Sequence, residues 1–321
     1  MAAPPGNALR GDAVLPAVGL RPVRGILMGS DMREQLIDLP NGARLNYAET
    51  GSGGAIVFLH GFPECWRRWG PQLAEFGRDH RVLAPDMRGF NLSFKPEGVE
   101  AYAAGHLAAD IVGFIEALGR EPVVLVGHYW GGAAAWIVAM RAPHLVRRLV
   151  IINAPFPATF ARELAHNPAQ REASWYMNVL CDPGTEQRIL DKDFRGFERG
   201  FAEIGPADWY TPELAARYRE AWRQPGALTA MLNYYRATPL RPARPGEDWT
   251  PRIPPDEDMA VRVPTLVIWG MQDKSVLPGC LDGLEKYVEP LTILRLPEGS
   301  HWVSAEQPEK VNAAIREFID R

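Results

Sequence analysis

Val123-Val124-Leu125-Val126-Gly127-His128-Tyr129-Trp130-Gly131-Gly132 runs from an apolar, β-branched stretch into a segment of small residues. This is the spacing of a nucleophile elbow, a strained strand-to-helix turn that pushes its middle side chain outward. Such a turn needs small flanks, and Gly127 and Gly131 supply that room. Val123 to Val126 reads as a buried parallel strand, and Gly131 to Met140 as the helix packed behind it. The apex is Tyr129, a phenol whose reference pKa of about 10 leaves it scarcely ionised at neutral pH.

Outward from the elbow, short apolar runs recur at Ala55 to Leu59, Arg81 to Ala84, Leu149 to Ile152, Thr265 to Trp269 and Leu291 to Leu296. Most are separated by helix-length segments, which predicts an α/β fold with a mostly parallel sheet covered by helices on both faces. Gln35 to Asp38 and Arg44 to Glu49, joined by Pro40-Asn41-Gly42, predict an antiparallel hairpin at its start. Between Pro155 and Pro255 the strand signal disappears and helix-compatible stretches such as Glu213 to Arg223 and Gly226 to Arg236 take over. The expected organisation is an N-terminal arm (1–34), a first core part (35–154), a helical cap (155–255) and a second core part (256–321). The cap carries 14 of the 31 Phe, Trp and Tyr residues in under a third of the length. Aromatics at that density either glue the cap to the core or line an apolar pocket between the layers.

The 321 residues are 46% hydrophobic, ample for a packed interior. A formal charge of −4 and a pI near 6.0 offer no basic stripe, which argues against nucleic acid or an anionic membrane as partner. Cys65, Cys181 and Cys280 are odd in number and widely spaced. That fits neither a disulfide framework nor a metal cluster, and a reducing, cytoplasmic setting is expected. Residues 122–140 lack Lys, Arg, Asp and Glu, yet Gly127, Gly131, Gly132 and His128 mark a strand-turn-helix unit rather than a membrane span. The first thirty residues, rich in Ala, Pro and Gly with scattered arginines, lack a signal-peptide core.

Five motifs accompany this pattern: His60-Gly61-Phe62-Pro63-Glu64, Asp86 to Ser93, Gly127 to Gly132, Trp269-Gly270-Met271-Gln272-Asp273 and Gly299-Ser300-His301-Trp302. Together they make residues 35 to 321 resemble the α/β-hydrolase superfamily, in its epoxide hydrolase and haloalkane or haloacetate dehalogenase branch. The resemblance implies an α/β-hydrolase fold with an inserted helical cap. It also implies an oxyanion or halide site from the backbone N–H groups of Phe62 and Trp130, and an Asp273–His301 pair in which the acid fixes the histidine tautomer. The chain order of elbow, acid and histidine is the order of that fold. Asp86 to Ser93 is read as structural.

In the epoxide hydrolases, which the chain resembles, two cap tyrosines donate hydrogen bonds to the epoxide oxygen. Tyr176, ahead of Asp182-Pro183-Gly184, and Tyr235, in Asn233-Tyr234-Tyr235-Arg236, match those contexts. His60, Pro63, Trp175 and Trp302 are the expected pocket residues, and neither cofactor nor metal is required. The expected partner is a small apolar or aromatic molecule; self-association as a homodimer is left open.

The family mechanism uses a carboxylate at the elbow, and Tyr129 departs from it. An attacking phenol would form an alkyl aryl ether with no acyl carbon for water to cleave, so turnover would stop after one event. Three readings follow. One is an enzyme that opens an epoxide, or joins two partners in secondary metabolism, without covalent catalysis: Tyr176 and Tyr235 activate the oxygen while His301 with Asp273 deprotonates the nucleophile. Another is a hydrolase inactivated at its nucleophile, and the third a non-catalytic binding protein.

Overall fold

The computed structural model describes residues 21–22, 32–247 and 256–321. Among the described residues nine strands form one sheet: β1 (Arg21–Pro22), β2 (Arg33–Asp38), β3 (Arg44–Thr50), β4 (Ala55–Leu59), β5 (Arg81–Pro85), β6 (Val123–His128), β7 (Val146–Ile152), β8 (Thr265–Gly270) and β9 (Leu291–Leu296). Their order is β1-β2-β3-β5-β4-β6-β7-β8-β9. β1, β2, β3 and β5 pair antiparallel in turn, and every pairing from β5 through β4 to β9 is parallel. The predicted hairpin is β2–β3, and each predicted core strand is present.

The central strands read as continuous apolar runs because both their faces are buried. Side chains alternate across a strand, so Val57 and Leu59 of β4 join one core while Ile56 and Phe58 join the other. β6 divides the same way, Leu125 to the first core and Val124 and Val126 to the second. The helix Trp130–Arg141 backs the first core, through Ala134, Ala135, Trp136 and Val138. The C-terminal helix Pro308–Ile319 covers the second with Val311, Ile315 and Phe318.

Between β7 and β8 the chain runs through helices from Pro157 to Ala237, including Tyr176–Cys181, Arg195–Ile204, Pro212–Trp222 and Ala227–Ala237. Aromatic side chains fasten this insert to the loops at the carboxyl ends of the strands. Phe62 meets Phe197 with ring centroids 5.2 Å apart, Phe201 meets Trp302 at 5.1 Å, and the Trp222 indole N–H donates to the Pro63 carbonyl at 2.6 Å. Within the segment read as an arm, Arg21 and Pro22 pair with Leu36 and Gln35. The rest of 1–31, and 248–255 at the end of the segment read as a cap, lie outside the described residues.

Candidate active site

Tyr129 follows the last residue of β6 and sits at φ 50° and ψ −114°, a left-handed conformation that costs a non-glycine residue about 1–3 kcal/mol. The turn holds because its neighbours have no side chains. A Cβ on Gly127 would lie 2.6 Å from the Gly131 carbonyl oxygen, and one on Gly131 would lie 2.3 Å from that of Leu59. The Tyr129 N–H donates to the Ile152 carbonyl at 3.3 Å, tying the apex to β7. Trp130 is the first residue of the following helix, so its N–H is one of the donors a helix leaves unpaired.

The Tyr129 hydroxyl is hydrogen-bonded to that of Tyr176 and, at 3.0 Å, to that of Tyr235. Burial pushes all three phenols well above their ordinary pKa, so the cluster is neutral. Two hydrogen bonds join three hydroxyls, and one proton of the cluster is left to point elsewhere. Of the adjacent tyrosines at 234 and 235, only Tyr235 takes part. Tyr234 donates to the Arg88 carbonyl at 2.6 Å.

On the other side of Tyr129 stands His301, its ring edge-on to the phenol with centroids 4.8 Å apart. His301 Nδ1 lies 2.7 Å from Asp273 Oδ2, leaving Nε2 as the nitrogen available for proton transfer. Asp273 also accepts from the Asn153 amide at 2.7 Å and from the N–H groups of Ser275 and Val276 at 2.7 and 3.0 Å. With His301 Nδ1, four donors in all hold this side chain in place. Asn153 was not expected from the sequence. It follows β7 at φ 42°, and its side-chain oxygen accepts from the Gly270 N–H at 2.9 Å. An asparagine just past a strand end, able to adopt positive φ, is the signal that marks it.

Beneath the elbow lies a buried polar network that sequence reasoning also missed. His128 Nε2 is 3.0 Å from the His301 carbonyl, an acceptor, so that nitrogen carries the proton and Nδ1 accepts from Arg68 at 3.0 Å. Burial, then the neighbouring Arg68 charge, drives His128 down to about 3, which keeps it neutral. Arg68 pairs with Glu64 at 2.5 Å and donates to Ser304. The elbow, the loop after β4 and the loop bearing His301 are thereby fixed to one another.

A cavity of about 390 Å³ is lined by Phe62, Pro63, Tyr129, Tyr176, Tyr235, His301 and Trp302, among others. Two expected pocket residues fall elsewhere. His60 is wholly buried with its ring nitrogens on the Gly61 carbonyl at 2.7 Å and the Met87 N–H at 2.9 Å, so it holds two loops together. Trp175 is 41% exposed and lines neither this cavity nor the smaller one beside it. Asp86 and Arg88 are structural as read: Asp86 accepts from the Trp66 N–H at 2.9 Å, and Arg88 pairs with Asp110 at 2.6 Å. Among the described residues, no three His, Cys, Asp or Glu side chains are grouped to hold a metal ion, and no helix is long and apolar enough to cross a membrane.

Comparison with known proteins agrees with this fold. The sequence pattern of the alpha/beta hydrolase fold family matches residues 54–308. The chain is 36% identical over 283 residues to the AB hydrolase superfamily protein YfhM of Bacillus subtilis, covering 87% of this chain and 95% of that one. It is 34% identical over 294 residues to Epoxide hydrolase 4 of Mus musculus, covering 87% and 77%. Among solved structures, an epoxide hydrolase of Bacillus megaterium in complex with an inhibitor superposes with a TM-score of 0.80 at 33% identity, over 89% of this chain and all of that one. An epoxide hydrolase from metagenomes of hot environments gives 0.81 at 37%, over 89% and 98%. With the sheet order, the strained elbow and the Asp273–His301 pair, these matches place the chain in the α/β-hydrolase fold family, as an epoxide-hydrolase-like enzyme.

Proposed function

We propose that the chain opens an epoxide, or a related small apolar electrophile, by direct attack of water, without an enzyme-bound ester. Tyr129 occupies the elbow position where the family mechanism uses a carboxylate. As a neutral phenol it is a poor nucleophile, and an ether formed at it could not be released. In this reading His301, oriented by Asp273, removes a proton from water through Nε2. The unshared proton of the phenol cluster passes to the epoxide oxygen as the C–O bond breaks. Water adds at the carbon, the ring oxygen becomes a hydroxyl, and the product is a diol.

The observation that carries this reading is that three neutral phenols and His301, backed at Nδ1 by Asp273, come together at one cavity, whose lining includes the phenols and the histidine. The helical insert acts here as a cap, supplying two of the phenols and much of the apolar wall. The test is diol formation from a panel of aryl and alkyl epoxides, with His301→Ala as control. Turnover that depends on His301 supports the proposal, and diol formation equal in the two proteins removes the base from it.

A second reading has its own observation. Tyr129 already takes both hydrogen bonds that Tyr176 and Tyr235 would give an epoxide oxygen, as expected of a hydrolase stopped at its nucleophile. No diol from the unmodified chain across the panel, with recovery in Tyr129→Asp, selects this reading instead.

A further inference from the structure

Tyr129 and Tyr176 are the two residues common to the linings of two neighbouring cavities, and their hydroxyls are bonded to each other. On one side lies the cavity of about 390 Å³, with Phe62, Phe197, Phe201, Tyr235, His301 and Trp302 in its wall. Its lining also includes Arg199 and Glu203, an ion pair at 3.0 Å whose side chains are 74% and 63% exposed, so this cavity reaches the surface. On the other side lies a cavity of about 100 Å³ walled by Ala133, Ile137, Phe160, Met177, Leu240 and Val276. An apolar cavity of about 150 Å³ accommodates benzene, so the smaller chamber is below the size of an aryl ring. His301 belongs to the larger chamber alone.

We propose that the Tyr129 side chain is a dividing wall that sets substrate class: the chain takes electrophiles with one bulky apolar arm, such as terminal epoxides, and rejects those with bulky groups on both sides of the reacting centre. A carboxylate or smaller side chain at the elbow is too short to reach the Tyr176 hydroxyl, so the wall is specific to the long, rigid phenol. The arm lies in the larger chamber among the aromatic rings, with the reacting centre between His301 and the phenols. A second arm would have to pass through the Tyr129–Tyr176 contact. This inference rests on the reading that the reacting oxygen sits at the phenol cluster.

The test is binding rather than turnover, with unreactive amides whose carbonyl oxygen accepts the cluster's proton. Phenylacetamide is the one-armed probe and N-benzylphenylacetamide the two-armed probe. Each is titrated by calorimetry into the unmodified chain, Tyr129→Phe and Tyr129→Gly. Phenylalanine keeps the wall, whereas glycine removes it and is at ease at the positive φ of residue 129. Either substitution frees the Tyr176 and Tyr235 hydroxyls to donate to both amides, so the wall is read from the ratio of the two affinities. The two-armed to one-armed ratio should be about 10-fold or more higher in Tyr129→Gly than in the other two proteins, the scale on which apolar pockets discriminate added groups. It should differ by less than about 3-fold between the unmodified chain and Tyr129→Phe, well inside that range. An equal ratio in the unmodified chain and Tyr129→Gly overturns the wall, and a rise shared by Tyr129→Phe assigns the effect to the hydroxyl and overturns it too. Failure of both amides to bind any of the proteins defeats the functional reading and the wall with it. Should Tyr129→Gly not fold by circular dichroism, Tyr129→Asp takes its place with the same expected outcomes.

Discussion

The hydroxyls of Tyr129 and Tyr235 lie 3.0 Å apart although the residues are 106 positions apart in sequence, one on the elbow and one on a helix of the insert. The contact joins the strand-end chemistry to the layer above it through neutral groups. Tyr129→Phe breaks this bond and the one to Tyr176, freeing both phenols to donate to a ligand. The variant should keep turnover within about tenfold of the unmodified chain, less than the loss expected of a general acid or base. It should lose about 1–3 kcal/mol of stability, because two buried hydroxyls lose their partner. Steady-state diol formation and urea unfolding check the two halves. Abolished activity in a folded Tyr129→Phe would make Tyr129 the working acid.

His301→Ala and Tyr235→Phe remove the proposed base and one proposed phenol donor, and each should lower kcat by about 10²–10⁴-fold. Asp273→Asn should behave like His301→Ala, because an amide at Oδ2 faces the Asn153 amide and no longer fixes the His301 tautomer. Parallel losses of kcat with unchanged ligand binding are the expected pattern. Full activity in His301→Ala would remove this pair from the chemistry.

Stability should fall on mild acidification. Burial lowers His60 to about 4 and His128 to about 3, against 6.5 for an ordinary histidine. Below pH 6.5 the unfolded chain therefore binds protons that the folded chain refuses, and stability drops as pH falls. Asp86 opposes this, since burial raises it from 3.8 to about 6 and the folded chain binds its proton more readily. With two histidines against one carboxyl and about 1.4 kcal/mol per proton per pH unit, stability should drop by roughly 2 kcal/mol between pH 6.5 and 5. His128→Gln keeps a donor for the His301 carbonyl without a titrating ring and should flatten most of that slope. Urea midpoints equal at the two pH values, or a His128→Gln slope as steep as that of the unmodified chain, would count against this origin.

Much of the fold was legible because its signals are local. The parallel strands announce themselves as unbroken apolar runs, since both faces are covered, and the elbow as a tyrosine between glycines that steric contact allows nowhere else. Asp273 and His301 were legible from order and position, each just past a strand end. The fate of the Tyr176 and Tyr235 hydroxyls was not, because it depends on how far a phenol at 129 reaches across layers 47 and 106 residues distant in sequence. His60 misled for a related reason: a histidine just past a strand end, beside the expected oxyanion loop, looks like a pocket group until both ring nitrogens are found on backbone partners. Trp175 precedes a helix whose Tyr176 and Met177 turn toward the cavities, which leaves Trp175 facing out. Asn153 is marked only by its place just past a strand end, and Arg68 meets His128 across 60 positions of sequence, a contact assembled by the tertiary fold.

The most direct measurement is the origin of the oxygen in the first product molecule. Excess enzyme is mixed with an aryl epoxide in ¹⁸O-water for less than one turnover, and the diol is weighed by mass spectrometry beside that from Tyr129→Asp. Direct attack by water predicts that the unmodified chain yields a diol carrying one ¹⁸O from its first turnover, with no adduct on Tyr129. The aspartate variant, working through an ester cleaved at its acyl carbon, should yield an unlabelled first diol and place the label in its own carboxylate. An unlabelled first diol from the unmodified chain, a stable aryl ether at Tyr129, or no diol at all would contradict non-covalent opening.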